Sequence, residues 1–189
     1  TGDVGQYTSI AIVGGFPAIS YYDATNGDLK YIRATSADGS SWGAAVTVDN
    51  TGGLNVGTHT SLAVVDGRPA IAYRNVTNDH LRFVRATDAT GTSWGTPVTV
   101  DNSGPTGEFN KLAVIGGVPM ICTQGTDYGA RACVLWVNSA APGDGTWSRI
   151  TISPNNGSGN HSGAGCDMVD YFGQPAISYV EDYTGFLRL

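Results

Sequence analysis

The sequence has few of the residues that favour helices. Lysine and glutamate occur twice each in 189 residues, whereas aspartate occurs 14 times and glycine 27 times. Glutamate and lysine favour helices, while glycine, aspartate, asparagine and threonine favour turns and strands. The composition therefore predicts an all-β protein.

Positive charge is also scarce, and this bears on possible partners. The formal net charge is −6, with only ten Lys and Arg residues. Nucleic acids and anionic membrane surfaces require clustered basic side chains, and a membrane span requires an apolar run longer than any in this chain. We expect no nucleic-acid partner and no membrane insertion. The acidic, lysine-poor, threonine-rich composition instead predicts a secreted or cell-surface protein.

One pattern occurs four times and divides the chain into repeats at about residues 8–50, 60–102, 110–153 and 166–189. In each repeat a proline follows a glycine-containing turn, and these prolines stand 52, 50 and 56 residues apart. Apolar runs and turn residues then indicate four short strands in each full repeat, with no helical period. Repeats of about 50 residues with four strands are typical of β-propeller blades. The sequence thus predicts a single β-propeller domain over residues 1–189.

The last repeat is shorter than the other three. The segment "TGFLRL" ends partway through the third strand, so the fourth strand of this blade is missing. An unfinished ring exposes apolar blade faces and unpaired strand edges. Three interpretations follow. The chain is a fragment of a larger ring, which we favour, or it completes the ring as a homo-oligomer, or it forms a four-bladed ring with one thin blade.

A Tyr–cation pair recurs in the hairpin between the second and third strands. The Asn-Gly step in "DATNGD" indicates a tight turn and fixes which residues face each other. This register pairs Tyr21 with Lys30, Tyr73 with Arg82, and Tyr179 with Arg188, whereas repeat three loses both members together. A pair that appears or vanishes as a unit behaves as a structural contact.

The three cysteines all lie in the second half of the chain. By the same register, Cys122 and Cys133 face each other in the hairpin of repeat three, so we expect a disulfide in an oxidising compartment, with two buried thiols as the alternative. Cys166 is left over, as a buried small hydrophobe or as a free or intermolecular thiol.

The turns that end in tryptophan resemble the Asp-box, or bacterial neuraminidase repeat, of sialidase-like propellers, which reads Ser/Thr-x-Asp-x-Gly-x-Thr-Trp. The matching residues are Thr35, Gly39, Ser41 and Trp42, then Thr87, Gly91, Ser93 and Trp94, then Asp144, Gly145 and Trp147. The aspartate position holds Ala37 and Ala89 instead. The resemblance implies a propeller fold. Because similar turns occur in sialidases, other secreted glycosidases and non-catalytic binding propellers, it implies little about activity.

No catalytic set is evident in the sequence. A sialidase-like enzyme would need an arginine cluster, a tyrosine with a glutamate partner and an acid, and the Phe/Tyr-Arg-Ile-Pro motif expected near its start is absent. An acid pair for glycoside hydrolysis could come from Asp167, Asp170, Glu181 and Asp182. Asp170 stands out because it replaces an apolar residue on the strand nearest the propeller axis. We predict no catalytic residues.

Metal and cofactor sites have little support. The three histidines are scattered over different repeats, and no spacing matches a zinc site. The linkers between repeats are rich in oxygen ligands, so calcium is conceivable, yet none matches a known calcium loop. We predict no cofactor, with calcium as the weaker alternative.

These observations favour a non-catalytic, secreted or surface propeller module that binds a glycan or a protein. Ligands are expected where hairpin turns and linkers line one end of the ring. The candidate ligand-binding residues are Asp23, Asp28, Arg74, Asn75, His80, Asp170 and Glu181. The rival hypotheses are part of a glycosidase or sialidase-like enzyme and a structural repeat of an extracellular appendage or fibre.

Overall fold

A computed structural model describes residues 2–127, 130–139, 146–153, 162–181 and 186–188. The regular secondary structure of the described residues is β-strand, apart from one short 3-10 turn at Thr51–Gly53. The strands are β1 Val4–Val13, β2 Phe16–Asp23, β3 Asp28–Arg33, β4 Val46–Asp49, β5 Val56–Val65, β6 Arg68–Asn75, β7 His80–Arg85, β8 Val98–Asp101, β9 Glu108–Ile115, β10 Val118–Asp127, β11 Ala130–Asn138, β12 Trp147–Thr151, β13 Ser162–Tyr171, β14 Gln174–Glu181 and β15 Phe186–Arg188. The predicted all-β class is confirmed.

Each repeat forms one antiparallel sheet, here called a blade. Blades 1, 2 and 3 have four strands in chain order, and blade 4 has three, in the order β13-β14-β15. The first strands of the blades, β1, β5, β9 and β13, lie side by side and are called the inner strands. Successive meander sheets with adjoining first strands are the arrangement of a β-propeller.

The predicted hairpin register is confirmed in three blades. Tyr21 pairs with Lys30, Tyr73 with Arg82, and Tyr179 with Arg188. In blades 1 and 2 the two strands are joined by four residues, as the turn sequences indicated. The turn chemistry therefore fixed which residues face each other.

The register predicted for blade 3 is wrong by two residues. Cys122 pairs with Leu135, and Cys133 pairs with Gln124, because β10 and β11 continue to Asp127 and Ala130 and leave only two residues between them. Cys122 and Cys133 are therefore diagonal neighbours rather than direct partners. Both are fully buried free thiols with their sulfur atoms 3.7 Å apart, so the predicted disulfide is not formed in this structure. The contact with Cys122 and, to a smaller extent, burial raise the pKa of the Cys133 thiol.

The hydrophobic cores lie between adjacent blades. At each of two junctions, a tryptophan that follows the outer turn of one blade packs edge-on against an aromatic ring of the preceding blade. Trp94 contacts Tyr31 and Trp147 contacts Phe83, each with ring centroids 5.2 Å apart. Gly91 lies so close to Tyr31 that a Cβ there would fall 2.5 Å from the ring. The repeated tryptophans thus hold blades together.

The turns that precede these tryptophans are closed by side-chain caps. The carboxylate of Asp88 accepts hydrogen bonds from the backbone N–H groups of Thr90, Gly91 and Ser93. In blade 1, Asp38 accepts one from the Ser40 N–H, which lowers the pKa of Asp38 to about 2. The corresponding part of blade 3, residues 140–145, lies outside the described residues. The turn residues are therefore structural wherever the structure describes them.

Candidate functional site

Each inner strand contains a bulge of two residues near its start. The pairing with the second strand skips residues 7–8, 59–60, 109–110 and 165–166. The first residue of each bulge has a left-handed backbone, with φ of 52° at Tyr7, 51° at His59, 53° at Phe109 and 61° at Gly165. Such values are strained for any residue other than glycine and unusual for bulky ones. Three large rings are therefore held at costly positions in three blades.

The second residue of each bulge bonds to the preceding blade. Thr60 donates from its hydroxyl to the Tyr7 carbonyl at 2.7 Å, and Asn110 donates from Nδ2 to the His59 carbonyl at 2.9 Å. Cys166 donates from Sγ to the Phe109 carbonyl at 3.0 Å. The same bond thus fixes the bulge at three junctions. The buried Cys166 therefore has a structural role, because its thiol makes this bond at the junction of blades 3 and 4.

The bulges place three rings in a row, which we call the aromatic series, formed by Tyr7, His59 and Phe109. The centroid of the His59 ring lies 4.5 Å from that of Tyr7 and 5.3 Å from that of Phe109. Tyr7 is 46% exposed and Phe109 is 41% exposed. Burial lowers the pKa of His59, so this imidazole is neutral at physiological pH. The inner strands thus present an uncharged aromatic surface in which the two outer rings, Tyr7 and Phe109, are exposed.

A cavity of about 450 Å³ adjoins the aromatic series at the centre of the blades. It contacts all four inner strands and is lined by Phe109, by apolar groups and by a set of polar side chains. The polar lining residues are Thr8, Ser9, Thr60, Ser61, Asn110, Lys111 and Asp167. Its volume is within the usual range for small-molecule sites, and a mixed aromatic and polar lining is typical of them. We call the cavity and the aromatic series together the central face.

The charged groups near the central face are paired with one another. Lys111 lies 2.9 Å from Asp167 inside the cavity. Glu108, at the start of β9, forms ion pairs with both Arg74 and Arg131. Partial burial opposes ionisation, but the hydrogen bond from Lys111 lowers the pKa of Asp167. No unpaired charge therefore remains in the described lining of the cavity.

Most of the predicted ligand residues lie away from the central face and bond to groups of their own turns. Asp23 is buried and accepts hydrogen bonds from the backbone of Thr25 and Asn26. The Asn26 side chain contributes the largest effect that lowers the pKa of Asp23. Asp28 pairs with Lys30 at 3.2 Å. These two aspartates close their own hairpin.

The remaining predicted residues are spread over both ends of the blades. Asn75 is buried and accepts a bond from the backbone of its own turn, while His80 faces it across the hairpin. Asp170 caps two turns by accepting the N–H groups of Gly116 and Gly173, which lower its pKa. Glu181 pairs through its backbone with Phe186, and its side chain lies outside the described residues.

Among the predicted residues whose side chains are described, Arg74 alone lies near the central face, through its ion pair with Glu108. Sequence reasoning missed the aromatic series, and it did not single out Glu108, which opens β9. Aligning the repeats on their inner strands would have shown Tyr7, His59 and Phe109 at one repeat position. A single repeat carries no sign that this position is left-handed.

The described residues contain no group of three or more His, Cys, Asp or Glu side chains arranged to hold a metal ion. They also contain no helix of the length and apolarity needed to cross a membrane.

Comparison with known proteins shows the fold alone. No family model matches the sequence, and no curated protein matches it. The chain is similar to a leech intramolecular trans-sialidase with a TM-score of 0.55 and 16% identity, over 87% of this chain and 26% of that one. It is also similar to an endo-arabinase from Bacteroides thetaiotaomicron, with a TM-score of 0.55 and 16% identity, over 91% of this chain and 68% of that one. A third similar structure is a family 117 glycoside hydrolase from the marine bacterium Zobellia galactanivorans. Its TM-score is 0.54 and its identity 12%, over 99% of this chain and 69% of that one. The chain thus spans about a quarter of the first protein and about two thirds of the other two.

Proposed function

We propose that this chain is a non-catalytic, extracellular β-propeller module that binds a neutral glycan on its central face. The observation that carries the proposal is the aromatic series, in which Tyr7 and Phe109 are exposed although their backbone positions are strained. Strained residues persist where the surrounding structure holds them, and they cluster at ligand sites. The three structural neighbours are named as carbohydrate-active proteins, which supports a sugar as the ligand class.

The chemistry of the central face suits a sugar. The apolar face of a sugar ring can pack on Phe109 or Tyr7, as flat apolar groups do on aromatic rings. Its hydroxyl groups can bond to the hydroxyls and the amide that line the cavity beside Phe109. Asn110 is already oriented by its bonds to the carbonyls of His59 and Gly107, and its Oδ1 has no hydrogen-bond partner in the described residues. A bond from a sugar hydroxyl to this oxygen would therefore cost little side-chain entropy.

The charge pattern favours a neutral sugar over an acidic one. An acidic sugar is recognised by arginine forks that are free to hold its carboxylate. Near the central face, Arg74 is held by Asp79 and Glu108, and Arg131 is held by Glu108. Lys111 is held by Asp167. Binding an anion would first require one of these pairs to break.

The carboxylates argue for binding without catalysis. Hydrolysis of a glycosidic bond uses two carboxyl groups on either side of the bond, one of them protonated as the acid. The described lining of the cavity contains one carboxylate, Asp167, and its lowered pKa keeps it ionised at neutral pH. Glu108 is engaged by two arginines. The rival hypothesis, a glycosidase, thus has no acid–base pair in the described residues to rest on.

The proposal is tested with a printed array of neutral and acidic glycans, followed by calorimetric titration of the strongest hit. We expect neutral oligosaccharides to bind. We also expect Phe109→Ala and Tyr7→Ala each to weaken the affinity by at least about tenfold, which corresponds to 1.4 kcal/mol. Trp42→Ala is the matched control, because Trp42 is 39% exposed but lies on the outer turn of blade 1. This control should bind as the unmodified chain does.

Three results would count against the proposal. The first is an array with no binding, and the second is a preference for acidic glycans. The third is an affinity that Phe109→Ala leaves unchanged. Turnover of a fluorogenic sugar panel that Asp167→Asn abolishes would favour the glycosidase instead.

A further inference from the structure

Blade 1 exposes a face that the other blades bury. Ile10 on the inner strand is 67% exposed, whereas the residues at its repeat position, Leu62, Leu112 and Met168, are 5%, 2% and 2% exposed. In blades 2, 3 and 4 this position packs against the preceding blade. Ile12, two residues along the same face, is 61% exposed. The face thus has the composition of a blade junction but no blade upon it among the described residues.

Blade 4 exposes the opposite face. Tyr171 is 64% exposed, whereas Val13, Val65 and Ile115 at its repeat position are 0%, 1% and 1% exposed. Val169 on the same face is 57% exposed. In blades 1, 2 and 3 this face receives the next blade. Contiguous apolar patches of this kind mark interaction sites on soluble proteins.

The two faces are complementary to each other. The face that blade 1 exposes corresponds to the face that blades 2, 3 and 4 pack against the preceding blade. The face that blade 4 exposes corresponds to the face on which blades 1, 2 and 3 receive the following blade. We infer that blade 4 of one chain packs on blade 1 of a second copy of the same chain, head to tail. The contact repeats the three internal junctions, so the occupant is a blade of this repeat and not an unrelated surface.

The internal hydrogen bonds specify how the copies meet. At two junctions, the N–H of the residue equivalent to Ile10 donates to a serine of the preceding blade, as Leu62 does to Ser9 at 3.0 Å and Leu112 does to Ser61 at 2.8 Å. Asp167 holds the serine position in blade 4. The Ile10 N–H of the second copy would therefore donate to the Asp167 carboxylate, which is a stronger acceptor than a hydroxyl.

The bulge supplies a second bond between the copies. The residue after each left-handed position donates to the carbonyl of the left-handed residue in the preceding blade, as Thr60 does to Tyr7. Thr8 holds this position in blade 1, and Gly165 is its counterpart in blade 4. The Thr8 hydroxyl of the second copy would donate to the Gly165 carbonyl. The aromatic series of the second copy then begins beside blade 4 of the first.

The pairing is tested by sedimentation velocity of the purified chain at rising concentration. We expect concentration-dependent association of the unmodified chain. Ile10→Asp and Tyr171→Asp should each stay monomeric alone. Mixed together, they should form a 1:1 dimer, because Ile10→Asp keeps the blade 4 face and Tyr171→Asp keeps the blade 1 face. A head-to-tail contact gives this recovery, and a contact between identical faces does not.

Controls separate the inference from general effects of charge and folding. Ile150→Asp places the same charge at a residue that is 48% exposed on the outer strand of blade 3, and it should associate as the unmodified chain does. Each variant should keep the unfolding midpoint of the unmodified chain, measured on monomer, because the substituted side chains are exposed. A chain that stays monomeric at the highest concentration, or a mixture that stays monomeric, would overturn the inference. Either result leaves glycan binding by the monomer open to its own test.

Discussion

The hydroxyl of Tyr73 lies 2.6 Å from a carboxylate oxygen of Asp49, across the boundary between blades 2 and 1. The same oxygen accepts a hydrogen bond from Arg82 at 2.8 Å. Tyr73 and Asp49 are both buried, so these charge-assisted bonds form in a region of low dielectric. In blade 2, the Tyr–cation pair that recurs in the sequence is therefore a clamp on the last strand of the preceding blade.

Removing the Tyr73 hydroxyl tests the clamp. Tyr73→Phe leaves the Asp49 carboxylate with one partner fewer, and we expect a loss of about 1 to 2 kcal/mol in the free energy of unfolding, measured with urea. Tyr21→Phe is the matched control, because Tyr21 holds the same position in blade 1, where the described residues include no preceding blade. Equal losses in the two variants would show that the hydroxyl acts within its own blade.

The clamp is absent from the described residues of the next junction. This predicts that replacing the two equivalent aspartates, Asp49 and Asp101, changes the free energy of unfolding by different amounts. Asp101 holds the position of Asp49, but Thr123 and Val134 replace the tyrosine and the arginine, and Oδ2 of Asp101 has no hydrogen-bond partner in the described residues. We expect Asp49→Asn to lower the free energy of unfolding by about 3 kcal/mol, because it leaves the largely buried Arg82 without its charge partner. Asp101→Asn removes an incompletely bonded carboxylate and should change it by less than about 1 kcal/mol. Equal costs, measured by urea unfolding, would contradict this explanation.

The same carboxylate gives a pH dependence of defined sign. Burial opposes ionisation of Asp49, but hydrogen bonds from Thr51 and Tyr73 and the charge of Arg82 lower its pKa below the usual value. A group whose pKa is lower in the folded state stabilises the fold above its unfolded pKa, about 3.9 for aspartate, and this contribution is lost as the pH falls through the folded pKa.

We therefore expect the unfolding midpoint to fall as the pH is lowered below about 4. The slope of this fall should be shallower in Asp49→Asn, which has no carboxyl group to protonate. Thermal unfolding of both proteins across the acid range provides the measurement. Parallel slopes would assign the acid sensitivity to other groups.

The left-handed backbone at Phe109 predicts that a glycine there loses glycan affinity but is more stable than an alanine. At Phe109, φ is 53°, so Phe109→Gly relieves a backbone strain that Phe109→Ala keeps. Both variants lose the ring, and we expect both to lose glycan affinity. Phe109→Gly should be more stable than Phe109→Ala by about 1 kcal/mol in urea unfolding. If the alanine variant is as stable as the glycine variant, the position is not strained.

Turn chemistry explains which parts of the fold could be predicted. The spacing of the repeats and the Asn26-Gly27 step placed the blades and paired Tyr21 with Lys30, since a tight turn sets the register of its hairpin. The same inference failed between Cys122 and Cys133. There the strands run on past the position where the other blades turn, and the apolar and small residues around the hairpin allow either register.

The central face could not be predicted in the same way. Its geometry depends on a left-handed residue inside an inner strand, and Tyr7, His59 and Phe109 share only an aromatic ring at one repeat position. The bonds that hold the bulge, such as Thr60 to the Tyr7 carbonyl, join residues 53 positions apart in the sequence. The sequence-based candidates were chosen at hairpin turns, where the polar residues proved to stabilise the turns themselves.

The most direct test of the account is a crystal structure of the chain with a bound neutral oligosaccharide identified by the array. We expect a sugar ring packed against Phe109 or Tyr7, with a sugar hydroxyl group bonded to Asn110 in the central cavity. A sugar bound instead at the hairpin turns, beside Asp28 or His80, would contradict the assignment of the central face as the binding site.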